Sequence, residues 1–305
     1  MKKIIIDTDP GIDDALALGF ALYHPNLEVM GLTTIFGNVS AGLATENALR
    51  LCELTGQSVS VAQGADSPLH IAPNQVADFV HGKNGFGNIE LPVLKLKAST
   101  LSAAELIVSV VEQHPGEVTI VAVGPLTNIA LALQLSPAIA GKVAEVVIMG
   151  GAFHCDGNVT AYAEANIWND PHAAQIVFNA DWPIVAHGLD VTLQINFTTN
   201  YLDGLASNSP KVGGFLRDAA QFYIEFYERE RKIDGCCPHD LLALAYVTNP
   251  EWFTLESGAI AVATDGKTLG NTTINTSVKT NKQIATSVMP EELLENYAAV
   301  LKLAS

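Results

Sequence analysis

The chain has 305 residues, of which 49% are hydrophobic and 16% are charged, and its 16 basic and 32 acidic side chains give a formal net charge of −16. This charge has the wrong sign for a protein that holds the phosphate backbone of DNA or RNA, so nucleic acid polymers are excluded as expected partners. The apolar content is sufficient for a substantial buried core, which excludes long disordered stretches.

Strand-like and helix-like segments alternate through the first two thirds of the chain. The apolar runs typical of strands are "KIIID", "LEVMGLTTI", "VSVAQG", "EVTIVAVG", "KVAEVVIMGG" and "WPIVAHGLD". The helix-like segments between them are "DDALALGFALYH", "LATENALRLCELTG", "LSAAELIVSVVEQH", "LTNIALALQLS" and "PHAAQIVFN". This alternation predicts an α/β fold with a mostly parallel central sheet flanked by helices.

Beyond about residue 195 the sequence becomes helix-rich. It contains "PKVGGFLRDAAQFYIEFYERERK" and "HDLLALAYVT", followed by short strands with turns around Gly258, Gly266 and Gly270. We find no internal repeat and no Pro/Ser-rich linker that would mark a boundary. We therefore expect these segments to be additions to one core, and residues 1–305 to form a single α/β domain.

Four aspartates crowd into the turn between the first predicted strand and the first predicted helix, in "DTDPGIDDALAL" at residues 7–18. Asp13 or Asp14 could cap the helix, but one cap needs only one aspartate. The four carboxylates would repel one another at neutral pH unless a cation lay among them or some were protonated. Hard oxygen ligands suit Ca²⁺ or Mg²⁺, and no Cys or His in the stretch suggests zinc. The turn therefore predicts a divalent metal site.

Targeting and cysteine signals are weak. No apolar run reaches the roughly 18 residues of a membrane span. The N-terminal "MKKIIIDTDP" also lacks the run of about 7 to 15 apolar residues that a signal peptide contains. The four cysteines show no paired C-x-x-C spacing, so we interpret them as reduced thiols, with Cys236 and Cys237 packed near a site. We expect a cytoplasmic protein with no membrane partner.

Polar motifs at the predicted strand ends carry a resemblance to a known family. In chain order they are "DTDPGIDDALAL", "GN" at 37–38, "HG" at 81–82, "GPLTN" at 124–128, "MGG" at 149–151, "AEAN" at 163–166 and "HD" at 239–240. Together they resemble the nucleoside hydrolases, which cleave the N-glycosidic bond of ribonucleosides to ribose and a free base. The resemblance implies a Rossmann-like fold, a small-molecule ribonucleoside substrate, and a homo-oligomer, either a dimer or a tetramer.

The resemblance also implies a calcium site and a general base. The ligands would be Asp9, Asp14 and Asp240, together with the backbone carbonyl of Val123, a set of oxygens that suits Ca²⁺. Asp9 would also accept a proton from the calcium-bound water that attacks C1′ of the ribose. A ring of carboxylates would then stabilise the oxocarbenium character of the transition state.

Further residues match the family's ribose-binding groups. Those that match the groups on the 2′ and 3′ hydroxyls are Asp13, Asn38 and Asn166. Those that match the groups on the 5′ hydroxyl are Asn158 and Glu164, with Met149 as an apolar contact beneath the sugar. The chain departs from the family pattern in "AFHCDGN", one residue longer than expected, and at Ala165, which replaces an aromatic residue. The sequence leaves the preferred base open.

The leaving-group side is expected around His239, which matches the family's proton donor to the departing base. An imidazole that titrates near neutrality suits this task, although a lone His beside an apolar helix is more often structural. His81 could contact base or ribose, or it could pin its own loop. Tyr223, Tyr227 and Arg231 fall on one helical face at i, i+4 and i+8. They either form a packed stripe with a solvated Arg or, as the resemblance implies, bind the leaving base.

Two other functions are compatible with parts of the sequence. "DTDPG" loosely resembles the strand-end motif of Mg²⁺-dependent haloacid dehalogenase-type phosphatases, with Asp7 as nucleophile and Asp9 as acid. That interpretation lacks a clear downstream Lys and leaves two aspartates unused. A calcium-dependent nucleoside or ribose binding protein would require His239 and Asp9 to be catalytically idle. Release of free ribose separates a hydrolase from both.

Overall fold

The computed structural model describes residues 1–304 and centres on an eight-stranded sheet. The strands of this sheet and of a separate two-stranded sheet are β1 (Lys2–Thr8), β2 (Leu27–Thr34), β3 (Val61–Gln63), β4 (Val118–Ala122), β5 (Glu145–Met149), β6 (Ile184–His187), β7 (Phe253–Ser257), β8 (Ala259–Val262), β9 (Thr272–Asn275) and β10 (Lys282–Val288). The order in the large sheet is β3-β2-β1-β4-β5-β6-β10-β7, and only the β10–β7 pair is antiparallel. The predicted mostly parallel sheet is confirmed.

Helices cover both faces of this sheet. They are α1 (Ile12–Tyr23), α2 (Ala41–Thr55), α3 (Asp78–His81), α4 (Ala103–Gln113), α5 (Thr127–Leu135), α6 (Ala165–Asn169), α7 (Pro171–Asn179), α8 (Leu189–Thr192), α9 (Thr199–Asn208), α10 (Val212–Arg231), α11 (His239–Thr248) and α12 (Pro290–Leu301). Successive strand residues point to opposite faces, so Ile4 and Ile6 of β1 join one core cluster while Ile5 joins the other. The β1 side chains are therefore apolar on both faces, as parallel strands buried between helices require.

The C-terminal part differs in detail from the prediction. Sequence analysis places short strands around three glycines there, whereas β7 and β10 extend the main sheet and only β8 and β9 form a separate hairpin. Residues 282–288 read "KQIATSV", a mixture of polar and apolar side chains with no sustained apolar run. Their strand conformation depends on pairing with β6, almost a hundred residues earlier in the chain.

The sheet topology decides where a ligand can bind. The strand order reverses at β1, which pairs with β2 on one side and with β4 on the other. In open α/β sheets such a reversal leaves a crevice outside the carboxyl ends of the strands, where ligands bind. The loops after β1, β2, β4, β5 and β6 converge there. Within residues 1–304, no helix is both long and apolar enough to cross a membrane.

Candidate active site

A cavity of about 670 Å³ lies at this crevice. The predicted site residues that line it are Asp13, Asn38, His81, Val123, Met149, Asn158, Glu164, Asn166, Tyr223, Tyr227, Arg231, His239 and Asp240. The remaining two, Asp9 and Asp14, are buried and do not reach its surface. Residues from widely separated parts of the sequence therefore meet at one cavity.

Asp14 is held by the turn that it helps to form. Its Oδ1 accepts hydrogen bonds from the Thr8 hydroxyl at 2.5 Å and the Asp9 N–H at 3.2 Å. Its Oδ2 accepts from the Gly11 N–H and from Nδ2 of Asn38, both at 3.0 Å. The bond from Gly11 satisfies a free N–H at the start of α1, so Asp14 does cap this helix. Its four donors fix the carboxylate in one orientation.

Three buried carboxylates face one another beside the cavity. Asp13, Asp14 and Asp240 each place an oxygen within 4.8 Å of the others, and Oδ1 of Asp13 is buried without a hydrogen-bond partner among the described residues. Burial, and then the charges of Asp13 and Asp14, raise the pKa of Asp240 well above its usual range. Carboxylates that are crowded and desolvated in this way fit a hard divalent cation.

Asp9 lies next to this group but is not part of it. Its Oδ2 accepts the Asn38 N–H at 2.6 Å, while Oδ1 is buried and has no partner among the described residues. A Cβ at Gly124 would lie 2.7 Å from Oδ1, and one at Gly37 would overlap Oδ2. Glycine at these two positions lets both loops close around the carboxylate. Burial, followed by the charge of Asp14, raises the pKa of Asp9.

The ends of β4 and β5 are joined by one amide. Nδ2 of Asn166 donates to the Val123 carbonyl at 2.9 Å and lies 3.2 Å from the Met149 carbonyl. It also lies 3.3 Å from Sδ of Met149. The Val123 carbonyl, implied as a metal ligand by the resemblance, thus already has one donor, and its second lone pair is available for a cation.

The loop of residues 150–164, hereafter the 150–164 loop, carries the groups matched to the 5′ hydroxyl. Glu164 closes it, since Oε2 accepts the Gly151 N–H at 3.0 Å and Oε1 accepts the Asn166 N–H at 2.9 Å. Burial raises the pKa of Glu164. Oδ1 of the exposed Asn158 accepts the Ala165 N–H at 3.0 Å. Both side chains are therefore anchored to the start of α6.

A chain of hydrogen-bonding side chains forms the opposite wall. The Tyr223 and Tyr227 hydroxyls lie 3.4 Å apart, and the Tyr227 hydroxyl is 2.7 Å from Nε2 of His239. On its other side, Nδ1 of His239 lies 2.7 Å from the Thr192 hydroxyl. Burial, and secondarily the charge of Arg231, lower the pKa of His239 to about 3. This pKa lies below the range near neutrality that the sequence predicts, because the ring is buried.

His81 pins its own loop, which is one of the two roles that the sequence left open, and its ring also lines the cavity. Its Nδ1 accepts the Ile12 N–H at 3.2 Å, which ties its loop to the start of α1. Its ring lines the cavity, 5.4 Å from that of Tyr223. A Cβ at Gly11 would lie 2.7 Å from Nδ1, so this contact requires glycine. Burial lowers the pKa of His81 to about 3, leaving a neutral ring with its proton on Nε2.

Tyr223, Tyr227 and Arg231 form a stripe along α10 that packs against the protein and also lines the cavity. Tyr223 and Tyr227 are each only 3% exposed and contact each other at 4.9 Å between ring centroids. Arg231 is exposed at the rim of the cavity. The packed stripe with a solvated Arg and the cavity wall are therefore the same feature.

Sequence analysis missed several polar residues that hold this site. Asn47 donates from Nδ2 to the Pro10 carbonyl at 3.0 Å and to the Asn84 carbonyl at 2.9 Å, which joins the aspartate turn to the loop after His81. Thr192 contacts His239, as described above. Asn47 lies inside a helix and carries no local signal. Thr192 follows closely after a predicted strand end, and that position could have marked it.

Comparisons with known proteins agree with this geometry. The sequence matches the inosine-uridine preferring nucleoside hydrolase family over residues 4–295. Uridine nucleosidase 1 of Arabidopsis thaliana is 44% identical over 279 residues, covering 91% of this chain and 83% of that protein. The inosine-uridine preferring nucleoside hydrolase of Crithidia fasciculata is 38% identical over 275 residues, covering 89% and 87%. Among solved structures, the purine-preferring ribonucleoside hydrolase from Gardnerella vaginalis superimposes with a TM-score of 0.95 at 36% identity, covering 99% of both chains.

The match extends over nearly the whole chain and includes every motif that lines the cavity. It favours a hydrolase over the phosphatase alternative. That alternative would need a lysine in the site, and none of the described residues that line the cavity is a lysine. The chain therefore belongs to the inosine-uridine preferring nucleoside hydrolase family.

Proposed function

We propose that the protein hydrolyses the N-glycosidic bond of purine or pyrimidine ribonucleosides to ribose and a free base. The observation that carries this proposal is the division of one cavity into two chemical ends. Buried carboxylates around Asp13 and Asp240 form one end, and the hydroxyl and imidazole chain of Tyr227 and His239 forms the other. Cleavage needs negative charge near the ribose and a proton for the departing base.

The proposed resident ion is Ca²⁺, held by Asp9, Asp14, Asp240 and the Val123 carbonyl. The unpartnered oxygens of Asp9 and Asp13 and the crowding of buried carboxylates support a hard cation here. Calcium accepts six to eight oxygens in irregular arrangements, including backbone carbonyls, which suits this mixed set better than the strict octahedron of Mg²⁺. When bound, the ion supplies a water of lowered pKa.

Asp9 is the proposed general base. Its Oδ2 is held by the Asn38 N–H, whereas Oδ1 has no partner among the described residues and remains available to a water proton. Gly37 and Gly124 pack against this carboxylate and hold it in place. A base fixed in this way directs the attacking water toward C1′ of the ribose.

The ribose is bound between the two ends. Asp13, Asn38 and Asn166 face its 2′ and 3′ hydroxyls in this proposal, and Asn158 and Glu164 face its 5′ hydroxyl. As the base departs, the ring develops positive charge, and the surrounding carboxylates stabilise the transition state more than the ground state.

In this mechanism His239 acts as the imidazolium: its Nε2 proton passes to the leaving base through Tyr227, and the neutral imidazole remains. Burial disfavours that charged form, so the imidazolium is a strong acid when it forms. Its Nε2 is bonded to the Tyr227 hydroxyl at 2.7 Å, so the hydroxyl can pass one proton on as it receives another. Burial raises the pKa of Tyr227 well above its usual range and keeps the phenol protonated. His81 and Tyr223 complete the wall on which the base rests.

Release of free ribose is the direct test. The purified protein is incubated with inosine, uridine, cytidine, adenosine, guanosine and xanthosine, with and without a chelator of divalent cations. We expect ribose from at least one of them, and relatives named for uridine, inosine-uridine and purine nucleosides make both base classes reasonable substrates. Binding without ribose release would instead support the binding protein, and release of phosphate from phosphate esters would support the phosphatase.

We also propose that the protein is a homo-oligomer, that its chain forms one domain and that it is cytoplasmic. A homo-oligomer, either dimer or tetramer, is supported by exposed apolar side chains such as Val93 and Leu135, which are 85% and 57% exposed. Light scattering after size exclusion measures the mass, and a monomer would contradict the proposal.

One domain is supported by β7 and β10, which join the same sheet as β1. Cell fractionation tests the cytoplasmic location.

A further inference from the structure

A single short turn contacts the 150–164 loop on one side and His239 of the leaving-group end on the other. It comprises residues 188–192, the last four of which form α8, and it follows directly after β6. Two of its polar side chains, Asp190 and Thr192, are two positions apart. On a helix that spacing separates side chains by about 200°, so they reach opposite sides. No step of the proposed mechanism uses either of them directly.

Asp190 holds the start of the 150–164 loop. Its Oδ2 accepts the Phe153 N–H at 2.9 Å, and its Oδ1 accepts the His154 N–H at 2.6 Å. Hydrogen bonds to a charged acceptor are stronger than neutral ones. The backbone of the same turn adds a third contact, since the Leu189 N–H donates to the Gly151 carbonyl at 2.9 Å. Three of the first five residues of the loop, Gly151, Phe153 and His154, are therefore attached to the turn.

Other side chains hold the backbone of the first two residues of the loop after Gly150. Thr272 bonds both the N–H and the carbonyl of Ala152, at 2.9 and 3.0 Å, and Glu164 bonds the Gly151 N–H. Beyond Ala152, the N–H groups of residues 153 and 154 both point to Asp190, and Asn158 follows four residues later as an exposed side chain. Loss of the carboxylate would release the Phe153 and His154 N–H groups and loosen the segment that leads to Asn158, whose side chain would keep its bond to the Ala165 N–H, while Glu164 would stay anchored.

Thr192 contacts the leaving-group end of the cavity, through His239. It is fully buried, and its hydroxyl lies 2.7 Å from Nδ1 of His239. In the neutral ring this hydroxyl donates to Nδ1 and the proton lies on Nε2, the atom bonded to Tyr227, whereas in the imidazolium the hydroxyl accepts from Nδ1–H. The same contact fixes the rotation of the ring.

We propose that the 188–192 turn positions both ends of the substrate site, with Asp190 orienting the loop that binds the 5′ hydroxyl and Thr192 orienting the imidazole that protonates the leaving base. Both are positioning residues for the reaction. This inference rests on the proposed function, because it names what holds that function's groups in place.

The test crosses two variants with three substrates: inosine, 5′-deoxyinosine and p-nitrophenyl riboside, whose leaving group is stable as an anion. Asp190→Ala should lower kcat/KM for inosine and for the nitrophenyl riboside about tenfold, but for 5′-deoxyinosine less than about twofold, because that substrate has no 5′ hydroxyl to lose. Asp190→Asn retains one acceptor oxygen, so it should lower kcat/KM less, with the same pattern across the three substrates. It replaces the Ala variant in the test if that variant does not fold.

Thr192→Val should give the complementary pattern. It should slow inosine and 5′-deoxyinosine about tenfold and spare the nitrophenyl riboside, because only the first two need a protonated leaving group. Thr192→Ser keeps the hydroxyl and should restore most of the activity. Asp203→Asn, which alters an exposed carboxylate paired with Arg217, is the control and should leave all three substrates unchanged.

The outcomes separate this inference from the function on which it rests. A wild type that releases no ribose overturns the proposed function and the inference with it. An active wild type whose two variants lose all three substrates alike overturns the inference alone, because uniform losses would mean that the turn only stabilises the fold.

Discussion

The two ends of the cavity are built in different ways. At the carboxylate end, the chain holds Asp9 and Asp14 with backbone N–H groups and side chains from turns that directly follow strands. At the leaving-group end, Tyr227 and His239 project from two different helices and are held by one another and by Thr192. The first arrangement is fixed by the sheet, whereas the second depends on how helices pack against it.

This difference has a chemical counterpart. The carboxylate end crowds buried carboxyl groups that the fold alone does not neutralise, and burial followed by the charges of neighbouring carboxylates raises the pKa values of Asp9, Asp13 and Asp240. The leaving-group end is neutral, because burial lowers the pKa of His239 to about 3. One end therefore requires a cation, and the other requires a defined arrangement of protons.

Removal of the ion should affect the carboxylate end most strongly. Chelation should abolish ribose release and also lower the melting temperature, because an ion that binds only the folded state stabilises it by about 2.7 kcal/mol at a hundred times its Kd. Activity assays and thermal melts measure both quantities, with readdition of calcium as the control. Full activity in exhaustively metal-free protein would contradict the proposed site.

Asp9→Asn should separate the chemical step from binding at the same end. The amide keeps the size of the side chain and one oxygen, but it cannot accept the water proton, so kcat for inosine should fall by roughly 10² to 10⁴. Binding of a ribose analogue, measured by calorimetry, should persist. An unchanged kcat would mean that another group activates the water.

At the leaving-group end, Tyr227→Phe should have a smaller effect. It removes the hydroxyl bonded to His239 but keeps the ring and the packing, so kcat for inosine should fall about tenfold. The melting temperature should change little, and p-nitrophenyl riboside should be spared. A matched change, Tyr23→Phe, removes a hydroxyl that is bonded to the Thr55 carbonyl outside the cavity lining, and it should leave turnover unaffected. Equal activity of the Tyr227 variant would remove this residue from the proton route.

The smallest effect is expected at the rim. Arg231 is exposed, so its charge is screened by water and salt, and Arg231→Gln should change kcat/KM for inosine less than about threefold. Measurement at low and high salt shows how much of the change is electrostatic. A loss above tenfold that persists in high salt would place Arg231 in contact with the base.

The sequence predicts the carboxylate end better than the leaving-group end, for a physical reason. A strand followed by Asp9, Asp13 and Asp14 is a local pattern, and the carboxyl ends of parallel strands share one edge of the sheet. The contact of Thr192 with His239 joins residues 47 positions apart and leaves no local pattern. The depressed pKa of His239 likewise follows from burial, which becomes known only when the helices are placed.

The strands show the same contrast. The first six predicted strands are all present, because each carries a sustained apolar run. β10 was missed, since its mixed side chains acquire a strand conformation through pairing with β6 and β7. Local pattern therefore predicts the first six strands, whereas long-range pairing is needed to add β10 beside β6.

The central claim, that His239 protonates the leaving base while Asp9 activates the water at the other end, is tested most directly by His239→Ala on two substrates. Inosine needs a protonated leaving group and should slow by about 10² or more, whereas p-nitrophenyl riboside should react at nearly the wild-type rate. Asp9→Asn, measured in the same assay, should slow both. Equal losses on the two substrates in the His239 variant would contradict the account, because a His that only supports its neighbour Asp240 would impair both alike.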